Sequence, residues 1–176
     1  MLAVVLTGPP GAGKTSVLTA IVDDLSDDGV PHAAIEVETL VWTHPAVSEE
    51  RWARHVETTC ALHRDAGHDL LLVAQTAEND DELARLLAAV GADEHVVVRL
   101  EAEPDTLAAR IVEREPESWS GLTELVEHAR ELAGTMPALR GVDLVLSTEG
   151  ERPEAVAARI RERIDEFRAR HWSAPA

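Results

Sequence analysis

Hydrophobic positions along this chain alternate between two patterns. The runs LAVVLT (2–7), DLLLVAQ (69–75), EHVVVRLEA (94–102) and VDLVLST (142–148) are short and mostly apolar, the pattern of strands covered on both faces of a parallel sheet. HAAIEVE (32–38) joins them as a strand whose end carries two acidic residues, Glu36 and Glu38, placed by the two-residue repeat on one face. Between these runs apolar residues recur every three or four positions, the spacing of one helix face. Val17, Leu18, Ile21, Val22 and Leu25 mark a helix over 14–25, Trp52, Val56, Cys60 and His63 one over 48–66, and Val156, Ile160, Ile164 and Phe167 one over 153–170. Asn79 caps a further helix that Gly91 ends, Pro104 opens one running to about Glu115, and 122–133 holds another before GTMPALRG breaks it. DLLLVAQ is the most hydrophobic of the strands, which predicts a place in the middle of the sheet.

Five strands alternating with helices call for parallel pairing through right-handed crossovers, with helices on both faces. The expected fold class is therefore α/β, a three-layer domain around a five-stranded parallel sheet. With 176 residues and 45% hydrophobic content, one core and one domain over 1–176 are expected. The tail HWSAPA (171–176) is expected to fray.

Charge narrows the function. A net charge of -17 repels nucleic-acid backbones and anionic lipid, so neither is an expected partner, and an anionic ligand requires a local positive device. A lone Cys60, an N-terminus without a basic start and no apolar run near 18 residues lead to the expectation of a cytoplasmic protein, monomer or homodimer. The eight histidines show no paired-ligand spacing, which argues against a transition-metal site.

The positive device stands between the first strand and the first helix. GPPGAGKT fits G-x-x-x-x-G-K-[ST] at Gly8, Gly13, Lys14 and Thr15, in the strand-to-helix context that gives the pattern its meaning. Around it, Pro9, Pro10, Gly11, Ala12 and Ser16 complete a loop whose backbone N–H groups can curl about phosphate, helped by the helix N-terminus. Lys14 is placed to reach the β- and γ-phosphates, and the Thr15 hydroxyl to ligate Mg²⁺. Lys14 is also the chain's only lysine. The N/T-K-x-D guanine-reading motif therefore cannot occur, and ATP is the expected nucleotide.

With that loop in place the chain resembles, over nearly its whole length, the small P-loop kinases, the group of nucleoside monophosphate kinases, shikimate kinase, gluconate kinase and chloramphenicol phosphotransferase. The resemblance rests on 8–15, the acidic end of the second strand, RIVERE before a short break, and STEGERPEAVAARI after the fifth strand. It implies a P-loop NTPase fold with ATP and Mg²⁺ as cofactors and a mobile lid at PESWSG, near 115–122. It also implies that Arg110 and Arg114 clamp the transferred phosphoryl group, and that Thr148, Gly150 and Pro153 border adenine. Arginine's planar fork suits that clamp. Alternatively, Arg110 and Arg114 make surface ion pairs with Glu113, Glu117 or Asp105.

On the acceptor side, transfer to an alcohol needs a carboxylate to take the proton. The carboxyl ends of the strands put Glu36, Glu38 and Gln75 at the cleft, and by resemblance Glu38 matches an Asp of sugar and antibiotic kinases. Trp42, His44, Arg51 and Arg54 fall in a region, near 40–66, that would cover the acceptor; Trp52 there is expected to pack in the core, with substrate contact as the alternative. His128 and Arg130 follow the lid. Many similar enzymes end the third strand with an Asp that holds Mg²⁺ through water, where this chain has Gln75 and Thr76. Three readings follow: a kinase for a small-molecule hydroxyl, a nucleoside monophosphate kinase using Arg51 and Arg54 for the acceptor's phosphate, and an ATP-binding regulatory protein with little catalysis.

Overall fold

Leu2–Thr7 forms strand β1, buried at all six residues. In the computed structural model, which describes residues 1–40 and 42–171, β1 runs parallel between Leu70–Ala74 (β3) and Glu94–Glu101 (β4). Ala33–Glu36 (β2) adds to β3 and Leu144–Ser147 (β5) to β4, giving the order β2-β3-β1-β4-β5, parallel throughout. β3 is interior as its hydrophobicity requires, but the centre belongs to β1. Full burial marks both strands alike, so hydrophobicity identifies interior strands without ordering them.

The pleat of β1 shows how the layers form. Leu2, Val4 and Leu6 enter one core with α1 (Lys14–Asp27), α5 (Pro104–Arg114), α6 (Leu122–Thr135) and α7 (Pro153–His171). Ala3 and Val5 enter the other, under α3 (Glu49–Asp65) and α4 (Asp80–Val90). Two-residue alternation on a strand thus feeds two separate helix layers. Ser48 and Asn79 cap α3 and α4, each side chain accepting from the backbone N–H three residues on, and Gly91 closes α4 at φ 60°.

Three expectations are corrected. The second strand stops at Glu36, and Val37–Leu40 forms a short helix, α2. The cause lies in the neighbour: β3 ends at Ala74, opposite Glu36, so the next residues of this edge strand have no ladder to join. Val37 turns into the core instead, and the Thr39 hydroxyl donates to the Glu36 carbonyl at 3.0 Å. Glu36 and Glu38 consequently do not share a strand face. Next, α6 continues through Gly134 to Thr135 and passes into a 3-10 turn, Met136–Ala138. Met136 is buried and anchors that extension. Finally, β5 covers 144–147 rather than 142–148: Asp143 N still donates to the Val97 carbonyl at 2.9 Å, but Val97 N turns to the Asp143 carboxylate at 2.8 Å instead of a backbone carbonyl, and the ladder starts one residue later. Val41 and most of the tail, 172–176, lie outside the described residues.

Candidate active site

The glycines of the 8–15 loop are demanded by close packing. A Cβ on Gly8 would stand 2.4 Å from the Leu100 carbonyl oxygen of β4, and one on Gly11 would stand 2.7 Å from the Leu107 carbonyl oxygen of α5. Gly13, at φ 87°, is the N-cap of α1 and supplies no capping side chain. Unlike α3 and α4, α1 thus presents its first N–H groups uncapped, the arrangement that binds an anion. Ala12 is buried against the sheet while Thr15 and Ser16 are exposed on the first turn. Pro9 and Pro10 form the bend, where the Pro9 carbonyl accepts from Ala12 N at 3.1 Å.

Lys14 bends back over the loop, its Nζ donating to the carbonyls of Gly8 (2.9 Å) and Pro9 (3.2 Å). Burial pulls the ammonium down from 10.5 to about 8; the Glu38 charge works against this fall and the Arg114 charge adds to it. Glu38 reaches the same cleft from α2. Its Oε1 accepts from Thr76 N at 3.1 Å and from Thr76 Oγ1 at 2.7 Å, and no hydrogen bond falls on Oε2 among the described residues. Desolvation raises the Glu38 carboxyl, but the Lys14 charge, both Thr76 bonds and Arg114 outweigh it and hold the group below its ordinary value. An ionised carboxylate therefore faces the loop lysine, oriented through one oxygen and open at the other.

Arg110 and Arg114, one helical turn apart, serve different places. Arg110 donates to the Gly11 carbonyl (3.2 Å), to Thr148 Oγ1 (2.9 Å) and to the Thr148 carbonyl (2.7 Å), tying the loop to the end of β5. With Gly13, Thr148, Pro153, Val17 and Val156 it lines a cavity of about 210 Å³ beside the start of α1. Gly150 sits in the exposed turn just beyond. Arg114 is exposed and pairs with Glu115 at 2.7 Å, yet its charge is felt at Lys14 and Glu38. The expected partner Asp105 instead holds Arg130 at 2.9 Å, and His128 pairs with Glu78 at 2.8 Å.

A larger cavity, about 430 Å³, opens beside Glu38 and is bordered by Trp42, Trp52, Gln75 and Thr76. Gln75 donates to the Thr76 carbonyl at 3.0 Å, and its Oε1 is buried without a partner. His44, Arg51 and Arg54 are exposed and do not line this cavity. The structure thus gathers Glu38, Gln75 and Trp42 around one cavity, with Lys14 close enough for its charge to act on Glu38, and leaves the two α3 arginines outside it.

No family model matches the chain, and no curated protein matches it. Solved structures do. A sugar kinase from Janibacter sp. HTCC2649 shares 18% identity over 94% of this chain and 95% of its own, with a TM-score of 0.67. Shikimate kinase from Acinetobacter baumannii in complex with shikimate shares 16% over 94% and 93%, with a TM-score of 0.62. APS kinase from Mycobacterium tuberculosis in complex with AMPPNP and APS shares 19% over 93% and 96%, also at 0.62. The chain has the P-loop kinase fold.

Within that P-loop kinase fold one loop hydroxyl would suit a magnesium ion held mainly by phosphate and water. Thr15 offers an exposed hydroxyl free of hydrogen bonds among the described residues, whereas the Gln75 carbonyl oxygen is buried and Gln75 borders the cavity beside Glu38. Mg²⁺ keeps most of its water and needs one or two protein oxygens beside the phosphates. Among the described residues no group of three or more His, Cys, Asp and Glu could hold a metal by itself. Sequence reasoning missed the bonds from Thr76 that orient Glu38 and the α4 wall of the larger cavity, Glu82, Arg85 and Leu86. The latter had a signal, since 82, 85 and 86 fall at helical spacing on one face.

Proposed function

We propose that the protein is an ATP-dependent phosphotransferase that moves the γ-phosphoryl group to a hydroxyl of a small molecule. The observation that carries this reading is Glu38: an ionised carboxylate, held by Thr76, that faces Lys14 and borders a 430 Å³ cavity. The uncapped start of α1 and the loop amides hold the phosphates, and Lys14 moves from the Gly8 and Pro9 carbonyls onto them. The amides would retain charge-assisted bonds as negative charge shifts toward the leaving group. Mg²⁺, when bound at Thr15, neutralises phosphate charge. The acceptor oxygen forms its bond to the γ-phosphorus as the bridging P–O bond to ADP breaks, and the hydroxyl proton passes to Glu38 Oε2. Arg110 borders the base and Arg114 stands over the transferred group.

In this reading one domain carries a lid near 115–122 and an acceptor-covering region near 40–66, acts alone or as a homodimer, and engages neither nucleic acid nor membrane. The exposed positions of Arg51 and Arg54 disfavour the nucleoside monophosphate kinase. A second reading, an ATP-binding protein with little catalysis, draws on Gln75 in place of the strand-end Asp. ADP release from Mg-ATP, measured across alcohols, sugars, antibiotics and nucleotides, separates the two. Tight ATP binding without any acceptor-dependent turnover would sink the kinase reading.

A further inference from the structure

The cavity beside Glu38 has the size to enclose most of an acceptor of metabolite or drug dimensions, and its lining says what kind. Trp42, Val47, Trp52 and Leu86 form apolar walls. The ionisable residues among its lining are Glu38, Glu49, Glu82 and Arg85, three carboxylates to one guanidinium. Glu38 stays ionised under the influence of Lys14 and Thr76. Glu82 is committed to the start of α4, its two oxygens accepting from Glu78 N at 2.9 Å and Asn79 Nδ2 at 3.0 Å. Glu49 and Arg85 have no partner among the described residues and offer opposite charges to the same space. Enclosed recognition of a carboxylate or phosphate calls for positive charge in excess, by preference paired arginine forks. Arg51 and Arg54 stand outside, and an anion at the cavity would meet the Glu38 charge that proton transfer requires.

Resting on the kinase reading, we propose that the phosphoryl acceptor is a hydroxyl compound without phosphate or carboxylate. It lays a flat apolar portion against Trp42 and Trp52, with its hydroxyl turned to Glu38. Aromatic faces supply contact area without charge, and the acidic lining tolerates an amine where it rejects an acid. Substrate choice is then set by the 42–52 segment and α4, while the loop and Glu38 carry the chemistry.

Matched pairs test this: nucleosides against their monophosphates, and 1-phenyl-1,2-ethanediol against mandelate. Binding to the full chain is read without ATP by saturation-transfer NMR, and turnover by ADP release. The non-anionic member of each pair is expected to bind about tenfold or more tightly than its anionic counterpart. Trp42→Ala, at a residue 87% exposed that the fold does not need, should weaken that binding about tenfold. Preference for the anionic members, no binding by the non-anionic ones, or indifference to Trp42→Ala overturns the proposal. Non-anionic compounds that bind through Trp42 but release no ADP would instead remove the kinase reading and leave the cavity's preference standing.

Discussion

Replacing Gly11 by alanine should damage the fold and the nucleotide site together, by an amount the structure separates into two parts. Gly11 has φ 81°, where an alanine costs about 1–2 kcal/mol. Its new Cβ would also lie 2.7 Å from the Leu107 carbonyl oxygen and 3.1 Å from the Leu107 Cα. Leu107 is fully buried in α5, inside the core built around β1, so the helix cannot withdraw and the loop must. Restoring ordinary contact, from 2.7 Å to at least 3.4 Å, moves the loop by about 0.7 Å or more, enough to spoil several amide–phosphate bonds at once. Gly29→Ala provides the control: φ there is 65°, nothing lies within 4 Å of the added Cβ, and the site is remote from the loop. Urea unfolding followed by circular dichroism should show a loss of about 1 kcal/mol for Gly29→Ala and about 2–4 kcal/mol for Gly11→Ala. Calorimetric titration with AMPPNP should show unchanged affinity for the first and about 30- to 100-fold weaker binding for the second. Equal stability of the two variants, with AMPPNP affinity within about threefold of the parent, would refute the claim that α5 fixes the loop.

Lys14→Arg should cost nearly as much ATP affinity as Lys14→Ala, about 100-fold in each case, because Nζ sits between the Gly8 and Pro9 carbonyls where a guanidinium fork does not fit; near-normal calorimetric binding by the arginine variant contradicts this. Glu38→Gln should lower acceptor-dependent turnover by about 10²- to 10⁴-fold while sparing ATP binding. The Glu38 carboxyl is held below its ordinary 4.5, so the base form persists to lower pH and the acid limb of kcat/KM should fall below that value; Thr76→Val removes the 2.7 Å bond and should move the limb upward, and an unmoved limb denies Thr76 its positioning part. Burial pushes the Cys60 thiol from 9.0 up to about 11. The neutral thiol is the folded form, so its share of stability is complete below pH 9 and is lost as pH rises toward 11. Native protein should therefore resist thiol labelling at pH 8 and react on unfolding, and the alkaline loss of stability should shrink in Cys60→Ala; fast labelling of the native chain would contradict the burial.

Much of the fold was legible because its signals are local. A buried strand needs a continuous apolar run, a helix facing a sheet needs apolar residues at helical spacing, and Asn79, Gly91 and Pro104 mark helix ends through backbone chemistry that each carries within a few residues. The boundaries that failed depend on a neighbour. The second strand ended early because β3 offers no partner beyond Ala74, and the fifth started late because Val97 N bonds the Asp143 carboxylate in place of a backbone carbonyl. α6 outran its glycine because Met136 is buried beneath it.

The candidate site divides in the same way. The sequence alone determined the candidate phosphate loop, since its glycines, lysine and threonine are contiguous and the pattern needs no distant partner. It also determined the lack of the lysine-dependent guanine motif, through a single residue count. Only the tertiary structure decided what stands opposite that loop. It brought Glu38 from α2 to Thr76, 38 positions along the chain, turned Arg110 to Thr148 and Arg114 to Glu115, and left Arg51 and Arg54 outside the cavity beside Glu38. Residues far apart in sequence meet only where the sheet order and the crossovers put them, and an isolated carboxylate or arginine carries no mark of that position.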